Sequence, residues 1–378
     1  MSLPSQAGSR MDAIFPGRLG LIQRVKPSYR VPFFDRLAQR CEGGLCLFAG
    51  RPLPVEAIPQ DRMPGVAKWH EVQNRHFSDP SSAVYLCYQA GLLGAVQEWN
   101  PAALILEANY RYLSSYRVMA WARRKGIPVV GWGLGSRKLP FPLGQIRDRF
   151  IQGFDALVSY SEQGAAEYAA LGFDRRKILV AKNAVTDAPT EAAPVRHAIG
   201  PTRVLFVGRL QARKRVDLLI RALAAIGEGP HTELVVVGDG PEREALQSLA
   251  SSMYHLTRFT GHLEGEPLAQ EFREADLFVL PGTGGLAIQQ AMSYALPLIV
   301  AEGDGSQNDL VTDKNGWYIL PGDETDLIAK LRLALSNRLK LAQMGAESYR
   351  IVREEVNITK MADVFIQALS IAKEAYEK

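Results

Sequence analysis

Short apolar runs rich in β-branched residues alternate with segments of helical spacing through the C-terminal half of this 378-residue chain. Strands that alternate with helices of this length form βαβ units, so the pattern predicts a parallel sheet covered by helices, which is a doubly wound α/β domain. The predicted strands are 203–207, 234–237, 277–280, 297–300 and 317–320, and the predicted helices are 216–225, 242–250, 285–295 and 324–335.

The N-terminal half repeats this pattern less regularly and is also predicted to be an α/β sheet domain. Its predicted strands are 18–23, 44–48, 103–107, 128–132 and 156–159, and its predicted helices are 32–41, 83–98, 112–125 and 162–171. Between the halves, 183–201 is rich in Ala, Pro and Thr without periodicity, which is typical of a linker. We predict domains at 1–190 and 195–355, and expect the last helix, 358–375, to pack back onto the first domain.

The composition argues against several protein classes. Hydrophobic residues make up 47% of the chain, as in a globular protein, yet no apolar run reaches the ~18 residues of a membrane-spanning helix. Three cysteines without metal-binding spacing suit a reducing compartment. The histidines show no metal-ligand spacing, and no serine-hydrolase motif is present. We expect a cytoplasmic protein, and its net charge of +4 leaves open peripheral contact with the inner face of the membrane.

Two positively charged residues follow the first strand of the C-terminal half. Gly208 and Arg209 come directly after that strand, and Lys214 lies at the start of the next helix. Ligands of open parallel sheets bind beyond the ends of the strands, where two fixed cations could neutralise a diphosphate. Exposed loop charges without a ligand are the alternative interpretation.

A glycine-rich turn follows the strand 277–280. It consists of Pro281, Gly282, Thr283, Gly284 and Gly285, and a helix is predicted directly after it. Backbone N–H groups without side chains, together with a helix N-terminus, can bind a phosphate. The turn lacks the Gly-Lys-Ser/Thr ending of a nucleotide-binding P-loop. For a third turn, 238–241, a structural bend is the favoured interpretation.

In order, these segments resemble the family 4 glycosyltransferases, two-domain GT-B enzymes described as glycosyl transferases group 1. The resemblance covers about 203–349 and rests on the segments VLFVGRLQARKRVDLLIRAL, ELVVVGDGPEREAL, RFTGHL, ADLFVLPG, AMSYALPLIV and NGWYILPGD. It implies that Arg209 and Lys214 are the catalytic groups that stabilise the donor diphosphate. The donor-binding set that it implies is Gly208, Arg209, Lys214, Gly282, Thr283, Gly284, Gly285, Leu286 and Gln290.

The sequence departs from this family at a pair of glutamates, spaced E-x7-E, that contact the donor sugar and the ribose. Gly282 and Gln290 occupy those positions. The amide oxygen of Gln290 could still accept a hydrogen bond from a ribose hydroxyl. The segment GTGGLAIQQAM also resembles a glycine-rich subgroup of the family, so the missing first glutamate need not abolish activity.

The N-terminal half resembles the family only loosely and is expected to recognise the acceptor. RVKPSYRVPFFDRL follows its first strand and is expected at the rim of a cleft between the domains, and LEANYRYLSS follows another strand. The alternative is ordinary loop polarity and helix capping. The predicted acceptor-binding residues are Lys26, Tyr29, Arg30, His76, Glu107, Asn109 and Arg111.

The resemblance implies two Rossmann-like domains that face a cleft, and a retaining transfer of a hexosyl unit from a UDP- or GDP-sugar. The acceptor would be a glycan or a lipid-linked glycan in polysaccharide or cell-envelope biosynthesis. Metal, cofactor and nucleic acid are not expected to be required. The alternative is a nucleotide-sugar-binding relative without turnover that acts as a sensor or partner subunit; an epimerase or phosphorylase of the same architecture fits the motifs less well.

Overall fold

The computed structural model describes residues 14–56, 58–79, 82, 84–136, 139–194, 200–227, 232–303 and 307–376. The chain divides into two compact units: an N-terminal unit of Met1–Ala181 and Ile358–Lys378, and a C-terminal unit of Lys182–Asn357. The predicted linker, 183–201, lies within the C-terminal unit; its positions 195–199 fall outside the described residues, and the rest of it forms no helix or strand.

The N-terminal unit is built on a seven-stranded parallel sheet in the order β3-β2-β1-β6-β7-β8-β9, with a separate antiparallel pair, β4 and β5. The strand order reverses between β1 and β6, as in doubly wound folds. The strands are β1 (Leu19–Val25), β2 (Leu45–Gly50), β3 (Lys68–Glu71), β4 (Gln73–His76), β5 (Cys87–Ala90), β6 (Ala103–Glu107), β7 (Val129–Gly133), β8 (Ala156–Ser159) and β9 (Ile178–Val180). The helices are α1 (Val31–Gln39), α2 (Leu92–Trp99), α3 (Leu113–Lys125), α4 (Leu143–Ile151) and α5 (Glu162–Ala170).

The predicted helix 83–98 is wrong over its first half, and its position 83 lies outside the described residues. Cys87–Ala90 is a strand paired with Gln73–His76, and the helix begins only at Leu92. Gly91 separates the two elements with a φ of 78°, a left-handed conformation that interrupts a helix. The apolar spacing of this segment therefore reflects a strand followed by a helix.

The C-terminal unit carries a six-stranded parallel sheet in the order β12-β11-β10-β13-β14-β15. All five predicted strands are present, and the doubly wound α/β class is confirmed for both units. The strands are β10 (Thr202–Val207), β11 (Thr232–Val237), β12 (Thr257–Gly261), β13 (Leu277–Leu280), β14 (Leu298–Ala301) and β15 (Gly316–Ile319). The helices are α6 (Val216–Ile226), α7 (Arg243–Met253), α8 (Gly265–Glu274), α9 (Leu286–Ser293), α10 (Glu324–Leu335) and α11 (Arg338–Glu354).

The central strands of this sheet are apolar on both faces. Leu205, Phe206, Val236, Phe278 and Val279 are completely buried. Parallel sheets covered on both sides require such continuous apolar runs, which is why these strands could be predicted. The sequence analysis missed β12 because its residues, Thr257–Gly261, are mostly polar and lie at the edge of the sheet.

The last helix, α12 (Ile358–Glu374), belongs to the N-terminal unit. The ring of Phe365 lies 5.1 Å from that of Phe33 and 4.9 Å from that of Trp132, centroid to centroid. A salt bridge of 2.7 Å joins Arg40 to Asp363. The last helix therefore packs on the N-terminal unit.

A single glutamine ties both ends of the C-terminal unit to α9. The side chain of Gln289 is completely buried. Its Oε1 accepts hydrogen bonds from the backbone N–H groups of Val185 and Thr186, at 3.2 and 3.1 Å, and its Nε2 donates to the carbonyl of Val356 at 3.1 Å. The first segment of the unit and its last are therefore held by the same side chain.

We expect Gln289→Ala to lower the free energy of unfolding by about 1–3 kcal/mol, because it leaves buried backbone groups without partners. Urea unfolding followed by circular dichroism measures this change. Gln290→Ala on the same helix is the matched control: among the described residues the Gln290 side chain makes no hydrogen bond, and its effect should stay within about 0.5 kcal/mol. Equal unfolding midpoints for the two variants would contradict the assigned role of Gln289.

Candidate functional site

The two predicted donor loops lie side by side because their strands are neighbours in the sheet. β10 pairs with β13 in parallel, with Val204 opposite Leu277 and Leu205 opposite Phe278. The strand order reverses between these two strands, and ligands of open α/β sheets bind beyond the strand ends at such a point. The loop after β10 and the turn after β13 therefore meet at the position where a ligand is expected.

The loop after β10 is held in place by the neighbouring turn 238–241. Gly208 N donates to the carbonyl of Val237 at 3.0 Å, and Leu210 N donates to the carbonyl of Asp239 at 2.8 Å. Gly238 has a φ of 133°, and a Cβ built on it would overlap the carbonyl oxygen of Gly208. These contacts support the interpretation of the turn 238–241 as a structural bend.

The turn after β13 packs backbone to backbone against the end of the β10 loop. Thr283 N donates to the carbonyl of Arg213 at 3.1 Å, and Arg213 Nη1 donates to Thr283 Oγ1 at 3.2 Å. A Cβ on Gly282 would overlap the Arg213 carbonyl oxygen and lie 2.6 Å from the carbonyl carbon of Lys214. Position 282 therefore has no room for any side chain, including the glutamate usual in the family.

The amino group of Lys214 lies against Gly284 in this turn. A Cβ built on Gly284, which has a φ of 129°, would overlap Lys214 Nζ. Burial, and secondarily the charge of Arg213, lower the pKa of Lys214 to about 8. Within the described part of the chain, Lys214 Nζ has no ion-pair or hydrogen-bond partner. A half-buried cation without a counter-ion is a strong candidate for anion binding.

Arg209 adds a second cation without a partner at the same sheet edge. It is exposed, and among the described residues its guanidinium makes no ion pair or hydrogen bond. Arg213 is also exposed and is occupied by Thr283 and by Gln211 Oε1, 3.0 Å from its Nε. Lys214 and Arg213 are close enough for the charge of Arg213 to lower the pKa of Lys214, and Arg209 follows the same strand, so this loop offers a positive potential that suits a diphosphate.

The N-terminus of α9 faces the same turn. The helix begins at Leu286, and Gly285 precedes it without a side-chain cap, so the first helical N–H groups have no side-chain acceptor there. The helix ends at Ser293, before the predicted end at 295, because Ala295 adopts a left-handed φ of 55°. Uncapped N–H groups of a helix N-terminus are suited to bind a phosphate.

Sequence analysis missed Gln307, which supports this turn from the loop after β14. Gln307 is 1% exposed, and its Nε2 donates to the carbonyl of Gly284 at 2.6 Å. The bond holds the Gly284 carbonyl toward Gln307. A polar residue shortly after a buried strand was the only available signal, and many solvent-exposed loops carry the same signal.

Gln290 lies one helical turn farther along α9. Its side chain lines a cavity of 320 Å³ together with Thr186, Arg273 and Tyr294. No other residue of the predicted donor set lines this cavity. The proposed contact between Gln290 and a ribose stays a prediction.

Two of the predicted acceptor residues, Lys26 and Arg30, are buried and make contacts within the N-terminal unit. Lys26 is fully buried, and its Nζ donates to the carbonyls of Gln60 and Arg62, at 3.2 and 2.6 Å. Arg30 is 5% exposed, and its guanidinium stacks over the rings of Trp132 and Tyr160. Long aliphatic stems and aromatic neighbours allow both cations to serve as structural groups.

The remaining acceptor candidates lie near the ends of β1, β4 and β6. Tyr29 is 42% exposed. Asn109 Oδ1 accepts from the backbone N–H of Arg111 at 3.2 Å, and also from its guanidinium, so these two residues form a local pair after β6. Their role toward an acceptor stays a prediction.

Glu107 and His76 belong to one polar cluster that Arg24 links. Glu107 Oε2 accepts a hydrogen bond from Arg24 N at 2.8 Å, and the Arg24 side chain forms a salt bridge of 2.5 Å with Glu56. His76 Nδ1 lies 2.8 Å from the hydroxyl of Tyr85. Burial raises the pKa of Glu107 to about 7, and burial together with Arg24 lowers the pKa of His76. Glu107 can therefore either accept or donate a hydrogen bond near neutral pH.

The described residues contain no group of three or more His, Cys, Asp or Glu side chains placed to hold a metal ion. Among the helices in the part of the chain that the structure covers, none combines the length and apolar character needed to cross a membrane.

The family model described as Glycosyl transferases group 1 matches 201–337. Residues 201–337 belong to the glycosyl transferases group 1 family. The Arabidopsis thaliana sulfoquinovosyl transferase SQD2 is 35% identical over 36% of this chain and 27% of its own length. A glycogen synthase of Mycobacterium tuberculosis is 26% identical over 65% of this chain and 63% of its own. The chain thus spans less than two thirds of the length of these relatives.

A solved structure resembles the chain over nearly its whole length. Anabaena Alr3699/HepE in complex with UDP is 16% identical, with a TM-score of 0.67 over 93% of this chain and 99% of that one. At this identity the likeness shows the fold alone. The predicted GT-B class of two Rossmann-like units is confirmed. The group 1 match falls on the C-terminal unit, which carries Arg209, Arg213 and Lys214.

We expect Gly282→Ala to lower the free energy of unfolding of the C-terminal unit by about 1–3 kcal/mol, because the new methyl group overlaps the backbone of Arg213 and Lys214. It should also weaken UDP binding, measured by calorimetry, since the loop that carries Lys214 must move. Gly94→Ala in α2 is the control, because no atom lies within 4 Å of its Cβ position. A Gly282→Ala protein as stable as the parent would show that the turn has more freedom than the structure gives it.

We expect the affinity of this site for a diphosphate, with UDP as the probe, to fall as the pH rises through about 8, the value to which burial lowers the pKa of Lys214. The ammonium is charged below its pKa and attracts the diphosphate only in that form. In Lys214→Arg the cation persists at all accessible pH values, so its affinity should change less with pH. Because both proteins bind the same nucleotide, titration of UDP itself cancels in the comparison. Parallel pH profiles would exclude Lys214 as the titrating group.

Proposed function

We propose that the chain is a glycosyltransferase that takes its sugar from a nucleotide-sugar donor and binds the donor diphosphate on the C-terminal unit. One observation carries the proposal: the half-buried amino group of Lys214, without a counter-ion, lies against Gly284 beside the uncapped N-terminus of α9. This arrangement lies within the group 1 match. A diphosphate is an anion that an ammonium group and a helix N-terminus can bind together.

In the proposed reaction the bond between the anomeric carbon and the β-phosphate oxygen breaks, and the diphosphate leaves with the electron pair. Charge accumulates on that oxygen in the transition state. Arg209, Lys214 and the N–H groups at the start of α9 stabilise this charge from fixed positions, which lowers the barrier. The acceptor hydroxyl oxygen bonds to the anomeric carbon, and its proton passes to an oxygen of the departing diphosphate. The fixed cations supply the charge that a metal ion would otherwise provide.

The donor is proposed to be a UDP- or GDP-hexose, transferred with retention of the anomeric configuration. Support for a nucleotide diphosphate comes from the fold shared with HepE, whose structure contains UDP. The proposals of retention, of a hexosyl unit and of UDP or GDP as the nucleotide all rest on the resemblance to family 4. Analysis of the anomer in the product by NMR tests retention, and a β-linked product from an α-linked donor would rule it out.

The acceptor is proposed to be a glycan or lipid-linked glycan recognised by the N-terminal unit. Glu107, His76, Tyr29, Asn109 and Arg111 are the proposed contacts. The ionised Glu107 would accept a hydrogen bond from the attacking hydroxyl and orient its oxygen. Because Lys26 and Arg30 are already occupied by structural contacts, they are not proposed to touch the acceptor.

A nucleotide-sugar-binding protein without turnover is the second candidate, and the absence of the glutamate pair favours it. At position 282, however, the backbone of Arg213 and Lys214 fills the space of a side chain. The turn is therefore built around glycine and is not a glutamate site that has lost its side chain. A sensor would bind the nucleotide yet produce neither transfer nor donor hydrolysis.

Thermal unfolding with UDP, GDP, ADP and their sugars is the first test of the proposal. A ligand at ~100 times its dissociation constant stabilises the fold by roughly 2.7 kcal/mol, which gives a clear rise in midpoint. A selective rise with one nucleotide identifies the donor class. No rise with any of them would contradict a donor site in this unit.

With the donor identified, we expect Arg209→Ala and Lys214→Ala each to lower turnover by at least ~100-fold, since each removes a group that stabilises the leaving diphosphate. Donor consumption measured by chromatography gives the rates. Lys330→Ala on α10, which removes a charge paired with Asp326, is the control and should keep the parental rate. Near-parental turnover in both site variants would refute the assignment.

A further inference from the structure

An apolar patch lies on the surface of the N-terminal unit at the start of α4. Phe141, Leu143 and Ile146 expose 79%, 42% and 46% of their surface. The inward face of α4 is already filled by Phe150 and Ile151, which are buried. The three exposed side chains therefore contribute nothing to the core, and their exposure costs free energy in water.

Positive charge is concentrated in the same part of the chain. Between Glu107 and Asp155 the sequence contains nine arginines and lysines but a single acidic residue, Asp148, whereas the whole chain is nearly balanced, with 44 basic and 40 acidic residues. Asp148 Oδ1 accepts from Arg147 Nε at 2.6 Å, so the only carboxylate is already paired. Of these basic residues, Arg123, Arg124 and Arg149 are exposed, so this part of the N-terminal unit carries an excess of positive surface charge.

The apolar and basic side chains meet at one hollow between α3 and α4. This cavity of 670 Å³ is lined by Arg123 from α3 and by Pro142, Ile146 and Arg149 from the start and outer face of α4. Arg123 and Arg149 are exposed, and among the described residues neither forms an ion pair. The hollow thus combines apolar walls with two exposed arginines, and Asp148, which is paired with Arg147, also lines it.

We propose that this face, defined by Phe141, Leu143, Ile146, Arg123 and Arg149, binds the surface of an anionic phospholipid bilayer. Apolar side chains on a short amphipathic helix enter the boundary between head groups and acyl chains, while neighbouring arginines bind the lipid phosphates. A nucleic acid would use the arginines and could stack a base on Phe141, but it gives no reason for the exposed aliphatic side chains of Leu143 and Ile146. The combination of charge and apolar exposure therefore favours a bilayer over RNA.

This interaction does not rest on the proposed function, because the face shares no residue with the donor site. It is tested by binding alone. The full chain is sedimented with vesicles of phosphatidylcholine and with vesicles of phosphatidylcholine mixed with phosphatidylglycerol, at low and high salt. We expect binding to the mixed vesicles only, and weaker binding at high salt, because salt screens the attraction.

Two double variants separate the two parts of the face. Phe141→Ser with Ile146→Ser removes apolar area, and Arg123→Gln with Arg149→Gln removes charge. Each should lower the partition coefficient on mixed vesicles by roughly tenfold or more. Thermal unfolding midpoints equal to the parent's show that the variants are folded.

Matched controls lie on the C-terminal unit. Leu333→Ser with Leu339→Ser removes side chains that are 45% and 71% exposed, and Lys314→Gln with Lys330→Gln removes two charges. Both control proteins should bind vesicles as the parent does. Failure of the parent to bind mixed vesicles, equal binding to both vesicle types, sedimentation without vesicles, or unchanged binding by both test variants would overturn the proposal.

Discussion

The backbone of Gly282 lies in close contact with the backbone of Arg213 and Lys214. This contact determines the shape of the candidate donor site. The two segments follow neighbouring strands, so the sheet brings them to the same place, and the missing Cβ lets them touch. A hydrogen bond from Thr283 N to the Arg213 carbonyl fixes their register. Because backbone atoms make the contact, the position of the Lys214 backbone relative to α9 does not depend on flexible side chains.

This geometry creates an electrostatic cost that an anion can relieve. Burial and the neighbouring Arg213 disfavour the charged form of Lys214, and its pKa falls from 10.5 to about 8. The folded state binds this proton less tightly than the unfolded chain does, so the charged lysine destabilises the fold as the pH falls below 10.5 toward about 8. A bound diphosphate reverses the effect by pairing with the ammonium. Anion binding and folding are therefore linked through this residue.

Much of the fold and part of the site could be predicted from sequence because buried parallel strands leave continuous apolar runs. Gly208, Lys214 and the turn 282–286 could be selected as candidates for the same reason, since each follows such a strand. β12 was missed because an edge strand needs few apolar residues. The spacing of residues 87–90 predicts a helix where the structure has a strand, because spacing alone does not reveal the left-handed conformation of Gly91.

Roles that depend on contacts distant in sequence could not be predicted. Lys26 and Arg30 follow a strand in the same way as Lys214, yet carbonyl groups bind one and aromatic rings cover the other. In both units basic residues follow a buried strand, and only the residues that contact them in the folded structure differ. For Gln307 and Gln289 the sequence indicates no role, yet each donates a buried hydrogen bond to a backbone carbonyl that is distant in sequence.

Helix α9 connects these observations. Its N-terminus lies at the glycine-rich turn, and three residues after its start Gln289 binds Val185, Thr186 and Val356. The helix is short, with 8 residues, so a displacement of its N-terminus cannot be absorbed within it without breaking one of these bonds. These contacts hold the first helical N–H groups and the backbone of Lys214 at defined positions. Fixed dipoles stabilise a developing negative charge more effectively than groups that must reorient, so the proposed donor site does not require an acidic side chain at position 282.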